Sequence, residues 1–302
     1  MSVVELEARE VALEGPSGLW REAWVRLRRN PGAIAGFFLV CVFVIAAVFA
    51  PLIAPSPPRA QDLSLLRGGC CPGPSAEHWF GVDALGRDEF SRILYGARFS
   101  LLIGVVAVSV GLSVGLVLGS IAGYLGGVID SVIMRLMDVM LSIPGLLLAI
   151  GIVAMLGPGL TQIMIAVGAT QIPIFARLLR GSILAQKEND FVLAARSVGV
   201  PRRTILAAHI LPNSISPVIV QGTLALATAI IDVAGLGFLG LGPQDPSTPE
   251  WGTMLTGTTR YLQTAPHLAI IPGVAIVFSV LGFNLIGDGL REALDPRFRG
   301  RA

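Results

Sequence analysis

Charge is what this sequence has least of. Asp, Glu, Lys and Arg together make up 14% of its 302 residues, about half the share usual in a soluble domain. Lysine is nearly missing. The single one, Lys187, follows Gln186, which rules out a phosphate-cradling loop ending in Gly-Lys-Ser/Thr, so a nucleotide driving this protein would have to sit on another chain. Histidine and cysteine number three each, and His78, His209 and His267 fall in different segments. Nothing has the spacing of a metal site. The scattered serines lack a nearby histidine with an acid to orient it, so no hydrolytic constellation stands. A net charge of +2, spread between apolar runs, gives nucleic acid no electrostatic footprint.

Apolar residues are what remains. They form 53% of the chain, mean hydropathy is +0.74, and the runs are long enough to cross a bilayer at ~20 residues each. Six are expected: Ala33 to Ile53, Phe99 to about Tyr124, about Val139 to Leu156, about Leu160 to Ile174, about Ile215 to Leu241, and about Leu268 to Ile286. Pro144, Pro158 and Pro173 interrupt the third and fourth and predict kinks there. No cleaved signal peptide is expected, because the first run starts late, is too long and has no small-residue cleavage site after it. The class is all-α and polytopic.

Arginine and lysine set the orientation. Residues 1–30 carry five, 175–214 six and the tail after Ile286 four, against none around residue 158 and one in 242–267. Both termini are therefore expected in the cytoplasm. The 55–98 loop falls outside despite five arginines, which five acids accompany. The resulting division is a cytoplasmic segment 1–30, a first span 31–54, an outer loop 55–98, a membrane core 99–286 with a cytoplasmic loop 175–214, and a cytoplasmic tail 287–302.

A polar island interrupts the apolar runs from Asp190 to Asn213, DFVLAARSVGVPRRTILAAHILPN. It predicts two short helices with a hinge. Asp190 caps the first, Ala194, Ala195 and Arg196 favour helix, Gly199 supplies a left-handed stop, and Pro201 suits the first turn of the second. Arg196, Arg202 and Arg203 join Arg177, Arg180 and Lys187 in making the surrounding segment basic.

Four other stretches stand out. Leu19, Trp20, Ala23, Trp24 and Leu27 fall on one helical face, with Arg21, Arg26, Arg28 and Arg29 largely off it. That suits a helix lying in the lipid headgroup layer, an anchor or a regulatory partner site. From His78 the outer loop alternates charges, Asp83, Arg87, Asp88, Glu89, Arg92 and Arg98, with Phe90, Ile93, Leu94 and Phe99. A helix leading into the second span is expected, its charges at the outer membrane surface. Cys70 and Cys71 in that loop could oxidise, although a bond between neighbours is strained; Cys41, inside the first run, reads as packing. In the second run Gly111, Gly115, Gly119 and Gly123 recur every fourth residue, either a seam for a close helix or a flexible hinge.

The fifth run holds Asp232, the lone charge between Asn213 and Gln244. An ionised carboxylate near the bilayer centre costs about 2.5–3.5 kcal/mol, so it should face a cavity or a partner. It is a pathway candidate, or else a carboxylate hydrogen-bonded to a neighbouring helix or protonated. Gly235, Gly237, Gly240 and Gly242 follow it and favour close backbone contact or a broken helix end.

The island resembles the cytoplasmic signature loop of permease subunits of bacterial ABC importers, through Ala194 and Ala195, Gly199 four residues on, and the closing Leu211–Pro212. FGVDALGRDEFSRILYGARFSLLIG, FLGLGPQDPSTPEWGTML, YLQTAPHLAIIPG and FNLIGDGLREALDPR resemble the dipeptide, oligopeptide and nickel permease family, specifically its C-type subunit. The similarity runs from about Arg26 to Phe298.

The resemblance implies a type I ABC importer permease fold with six transmembrane helices, in the bacterial cytoplasmic membrane. It implies a homologous B-type permease, two ATPase subunits carrying ATP and Mg, and an extracytoplasmic substrate-binding protein, with no cofactor or catalysis on this chain. The island residues Asp190, Leu193, Ala194, Ala195, Arg196, Gly199, His209, Leu211 and Pro212 would dock in a cleft of the ATPase and carry its motion into the spans. One departure stands out: the family usually has a glutamate where this chain has Leu193, which removes a salt bridge there but leaves room for apolar docking. Peptide is the expected substrate, with nickel or glutathione on the same machinery as alternatives. An intramembrane enzyme would need a companion for Asp232, and a passive channel would leave the island unexplained.

Overall fold

A computed structural model describes residues 19–66, 69–245 and 247–294. The acidic stretch 1–18 and the tail residues 295–302 lie outside the described residues. The described residues begin with α1 (Leu19–Leu27), which turns at Asn30 into α2 (Pro31–Ile53). Asn30 caps α2 by accepting a 3.0 Å bond from the Ala33 N–H, and Pro31 occupies the first turn, where its missing N–H costs nothing. α2 leans on the last helix, α12 (His267–Leu294). A Cβ on Gly36 would lie 2.7 Å from the Gly282 carbonyl, so only glycine allows this crossing. The outer side of α2 exposes Phe37, Phe38, Val48 and Leu52, as a lipid-facing surface would.

The outer loop departs from the alternating pattern. The expected helix leading into the second span is there, although the stretch before it is not helical: α3 runs from Glu89 to Leu125, starting ten residues before the apolar run. Asp88 caps it, accepting from the Ser91 N–H at 2.8 Å and pairing with His78 Nδ1 at 2.9 Å. Asp83 gathers the Arg87 Nε at 2.6 Å and the N–H groups of Leu85 and Arg87. Asp83, Arg87, Asp88, Glu89 and Arg92 are buried in the loop's own fold, and Arg98 alone of the six is exposed. Asp83 and Asp88 find Arg87, Arg92 and His78 as partners there in place of water. In the same loop Cys70 and Cys71 are bonded to each other.

The third and fourth spans differ most from expectation. The third breaks at Ile143–Pro144 into α4 (Gly127–Ser142) and α5 (Gly145–Leu156), inclined at 94° to each other. Pro144 lacks an N–H and pushes the residue before it out of helix; Ile143 is extended, φ −98° and ψ 128°. With 12 residues, α5 reaches about 18 Å, short of the ~30 Å hydrocarbon core, so it does not cross by itself. The fourth does not stop at Ile174. α6 (Leu160–Lys187) carries on through Pro173 for 28 residues, because apolar contacts flank the proline on both sides. The first part of the 175–214 loop is therefore helix. α10 (Ser216–Leu236) continues in a π-helical stretch to Leu241, and five long helices plus the bent pair give up to six spans among the described residues.

α3 and α6 form the centre. Cβ atoms on Gly111, Gly115 and Gly119 would each lie 2.6 Å from an atom of α6, at Gln171 and Gly168, Phe175, and Ala176. Gly168 returns the close approach toward the Ala107 carbonyl at 2.9 Å. The main apolar core, including Ile103, Ile163, Phe175, Leu179 and Ile183, lies along this seam and extends to Val218 and Val233 of α10.

Candidate functional site

The island is tied to the body before it reaches outward. Lys187 Nζ donates to the carbonyls of Gly123 and Tyr124, at 3.3 and 3.2 Å, where the C-terminal end of α3 leaves acceptors free. Three residues on, α7 (Asp190–Ser197) begins. Asn189 holds the capping position and Asp190 the first turn, with no side-chain cap bond, a correction to the expected Asp190 cap. Its charge still favours a helix N-terminus.

α7 ends in a Schellman turn. The Gly199 N–H reaches the Arg196 carbonyl at 3.0 Å and the Val200 N–H the Ala195 carbonyl at 3.1 Å, with Gly199 at φ +79°. Pro201 then starts a second helical run: α8 (Arg202–Thr204), a π-helical stretch Ile205–Ile210, and α9 (Leu211–Ser214). Tyr124 donates its hydroxyl to the Arg202 carbonyl at 2.7 Å. The end of α3 therefore grips the chain on either side of α7, at the end of α6 and at α8.

Burial divides the island into two sides. Val192, Ile205 and Ile210 are fully inside, and Ala195 and Leu211 lean on the main core. Phe191, Leu193 and Val198 are exposed, Leu193 to 51%, together with Asp190, Ala194, Arg196, Gly199 and Pro212. His209 is half-buried, and its backbone carbonyl accepts from Asn213 Nδ2 at 2.7 Å. The arrangement is a short helix clamped by one face, offering apolar side chains on the other.

Deeper in, the bent third span pairs with α6 through charge. Arg180 makes two bonds to Asp130, one of them 2.6 Å, and Arg177 pairs with Asp138. Both pairs were invisible as pairs in the sequence, since the partners stand 50 and 39 positions apart. Beside Arg177 a cavity of about 560 Å³ opens between α4, α6 and α10, lined by Leu141, Ile174, Arg177, Ser182, Pro217 and Gln221. Asp232 is half-buried on α10, and among the described residues no hydrogen bond or ion pair reaches it.

Glu250 was also missed. It is 1% exposed and caps α11 (Trp251–Leu255), accepting from the N–H groups of Gly252 and Thr253 at 2.8 and 2.7 Å and from the Thr253 hydroxyl at 2.8 Å. Burial pushes its carboxyl above the ordinary range, and these donors pull it partly back. A Cβ on Gly237 would lie 2.4 Å from Glu250 Oε2, so the glycine-rich end of α10 exists to let α11 in. Trp251, fully buried, donates Nε1 to the Ile93 carbonyl at 3.2 Å. The sequence signal was an acid directly before Trp-Gly-Thr, at a capping position.

Comparison with known proteins follows this geometry. Residues 115–300, from the α3 seam through the island to the tail, match the family model of the binding-protein-dependent transport system inner membrane component. The chain belongs to that family. Residues 18–67 match the N-terminal TM domain of oligopeptide transport permease C, so this permease is of the C type. Its relatives include the dipeptide transport system permease protein DppC of Alkalihalophilus pseudofirmus, 49% identical over 93% of this chain and 90% of that protein. The glutathione transport system permease protein GsiD of Shigella flexneri is 50% identical over 93% and 91%. Among solved structures, a chain of the MetNI methionine ABC transporter in an inward-facing conformation aligns with a TM-score of 0.56, at 18% identity, over 68% of this permease and 96% of that chain. That match shows the fold, that of a type I ABC importer permease, over two thirds of the chain.

Proposed function

We propose that this permease carries peptides across the bacterial cytoplasmic membrane as one half of a pathway completed by a B-type permease, driven by two ATPase subunits and supplied by an extracytoplasmic binding protein. The observation that carries the reading is identity of about one half, over nine-tenths of the chain, to permeases named for dipeptide and glutathione transport. Glutathione is itself a small peptide, so both names point to one substrate class.

One of the two ATPase subunits would receive the exposed side of α7, where Leu193 gives apolar contact in place of a salt bridge. Closure of the ATPases on ATP and Mg would push α7 as a rigid body. The clamp from Lys187, Tyr124 and Val192 to α3 and α6 would pass that motion into the spans. On this reading the island and both termini would lie in the cytoplasm. Asp232, carrying charge on a spanning helix, would face the pathway.

Gly199 provides the test. Its φ of +79° is reached by a β-branched residue only at about 1–3 kcal/mol. Gly199→Val should reach the membrane and copurify with its partner permease, yet lose ATP-driven dipeptide uptake in reconstituted vesicles. Uptake at the parent rate would overturn the coupling role. Labelling of residues 190–212 from outside the cell would overturn the orientation.

A further inference from the structure

The two ion pairs between α4 and α6 lie a turn apart and differ in one respect. Arg180–Asp130 is closed: its side chains are 30% and 15% exposed. Arg177–Asp138 is open, at 51% and 61%, and Arg177 lines the cavity that α4 and α6 share with α10. Arg177 stands ten residues before the end of α6, about 15 Å along the helix from Lys187 and three residues past the end of the span read from hydropathy. Both side chains of the open pair are more than half exposed, and the cavity beside them is open to the same surroundings.

Its volume, about 560 Å³, falls within the ~300–1,000 Å³ of small-molecule sites. The rest of its wall is apolar, Leu141, Ile174, Leu178 and Pro217, with Ser182 and Gln221 as polar points. Gln221 and Asp232 stand eleven residues apart on one helix, three turns, and so share a face of α10 about 16 Å apart along the axis. A column of polar groups thus runs from Asp232 past Gln221 to the open pair.

We propose that Arg177 and Asp138 form a subsite for the charged ends of a peptide in passage, the guanidinium taking the C-terminal carboxylate and the Asp138 carboxylate the N-terminal ammonium. A peptide of two residues spans at most about 7 Å, short enough to lie between the two side chains once they part. The exchange replaces one ion pair by two. Neither fixed charge is unpaired at any stage, which is the condition for opening such a pair inside a membrane protein. The apolar wall gives the side chains of the peptide no specific partner, so selection here is for the zwitterion and not for its residues. This inference rests on the peptide reading above.

The test uses the complete transporter in vesicles, with three probes: alanyl-alanine, its C-terminal amide and its N-acetyl form. Because the same binding protein serves parent and variants, its own selectivity cancels when ratios of uptake are compared. Arg177→Gln should cut the preference for free carboxylate over amide by about tenfold, the worth of one charge-assisted bond, and leave the preference against the N-acetyl form in place. Asp138→Asn should do the reverse. Arg177→Lys, which keeps the charge and loses the fork, should fall between, and it carries the test with Asp138→Asn if Arg177→Gln does not assemble. Uptake of all three probes falling in one proportion would make the pair a brace and overturn the subsite. A parent that hydrolyses ATP but imports none of the probes would overturn the peptide reading and this inference with it, an outcome distinct from unchanged ratios in the variants.

Discussion

The two sides of α6 obey different rules. Toward α3 it meets glycine after glycine, with backbone against side chain at distances no Cβ would tolerate; toward α4 and α10 it leaves a cavity and an open ion pair. In lipid no hydrophobic force draws helices together, so close van der Waals contact has to supply the cohesion. One side therefore fixes the helix as a lever, and the other is free to meet whatever passes. The contrast teaches that rigidity and access are divided across a single helix rather than between domains.

The comparison is broken most severely by filling the seam. Gly115→Leu would drive a side chain into Phe175 Cβ and the Ile172 carbonyl, 2.6 and 2.9 Å from its Cβ. Overpacking of this kind costs about 1–3 kcal/mol for even a modest excess, and the expected outcome is loss of monodisperse protein in detergent. Next comes Glu250→Ala, which strips the cap from α11 and leaves buried N–H donors unpaired, about 1–3 kcal/mol; the thermal midpoint should drop clearly, and less in Glu250→Gln.

Glu250 also makes a statement about pH. A carboxyl whose value is raised in the fold keeps its proton longer there than in the unfolded chain, so its contribution to stability falls as pH rises through the window that opens at the ordinary 4.5. The parent's midpoint should fall more from pH 4.5 to neutral than that of Glu250→Gln. Equal falls would place the proton elsewhere.

Smaller effects sharpen the contrast on the other side of α6. Asp130→Asn weakens the closed pair and should lower the midpoint by an amount on the order of 1 kcal/mol in stability, while Asp138→Asn in the open pair should move it less. A reversed order would mean that exposure does not separate a structural pair from a site. Smallest of all is Gly181→Ala, whose Cβ meets nothing within 4 Å; its midpoint should stay within error of the parent, in contrast to Gly115→Leu.

Much of this was legible in the chain itself, and the reasons differ by element. The four-residue glycine spacing announced a face without side chains, but not that Gly168, Gln171 and Phe175 would fill it. Gly199 and Pro201 announced a helix, a left-handed stop and a second helix, since that conformation is a local property of those residues. Pro144 and Pro173 looked alike and behaved differently: one breaks the chain by 94°, the other sits inside a continuous helix. Their neighbours' packing decided, and packing is not local. The outer-loop charges pointed to the helix that leads into the second span but not to their pairings, because alternation along a chain says nothing of partners folded back across it.

By itself, then, the order of residues settled the solvent, the helical class, the approximate spans and the joint at 190–213, because hydropathy and backbone preference act over a few neighbours at a time. Which charges pair, which proline bends, where Glu250 is buried and where a cavity opens were settled only when distant segments met. Those features are energies of contact between helices many tens of residues apart, and they exist only once the helices have packed.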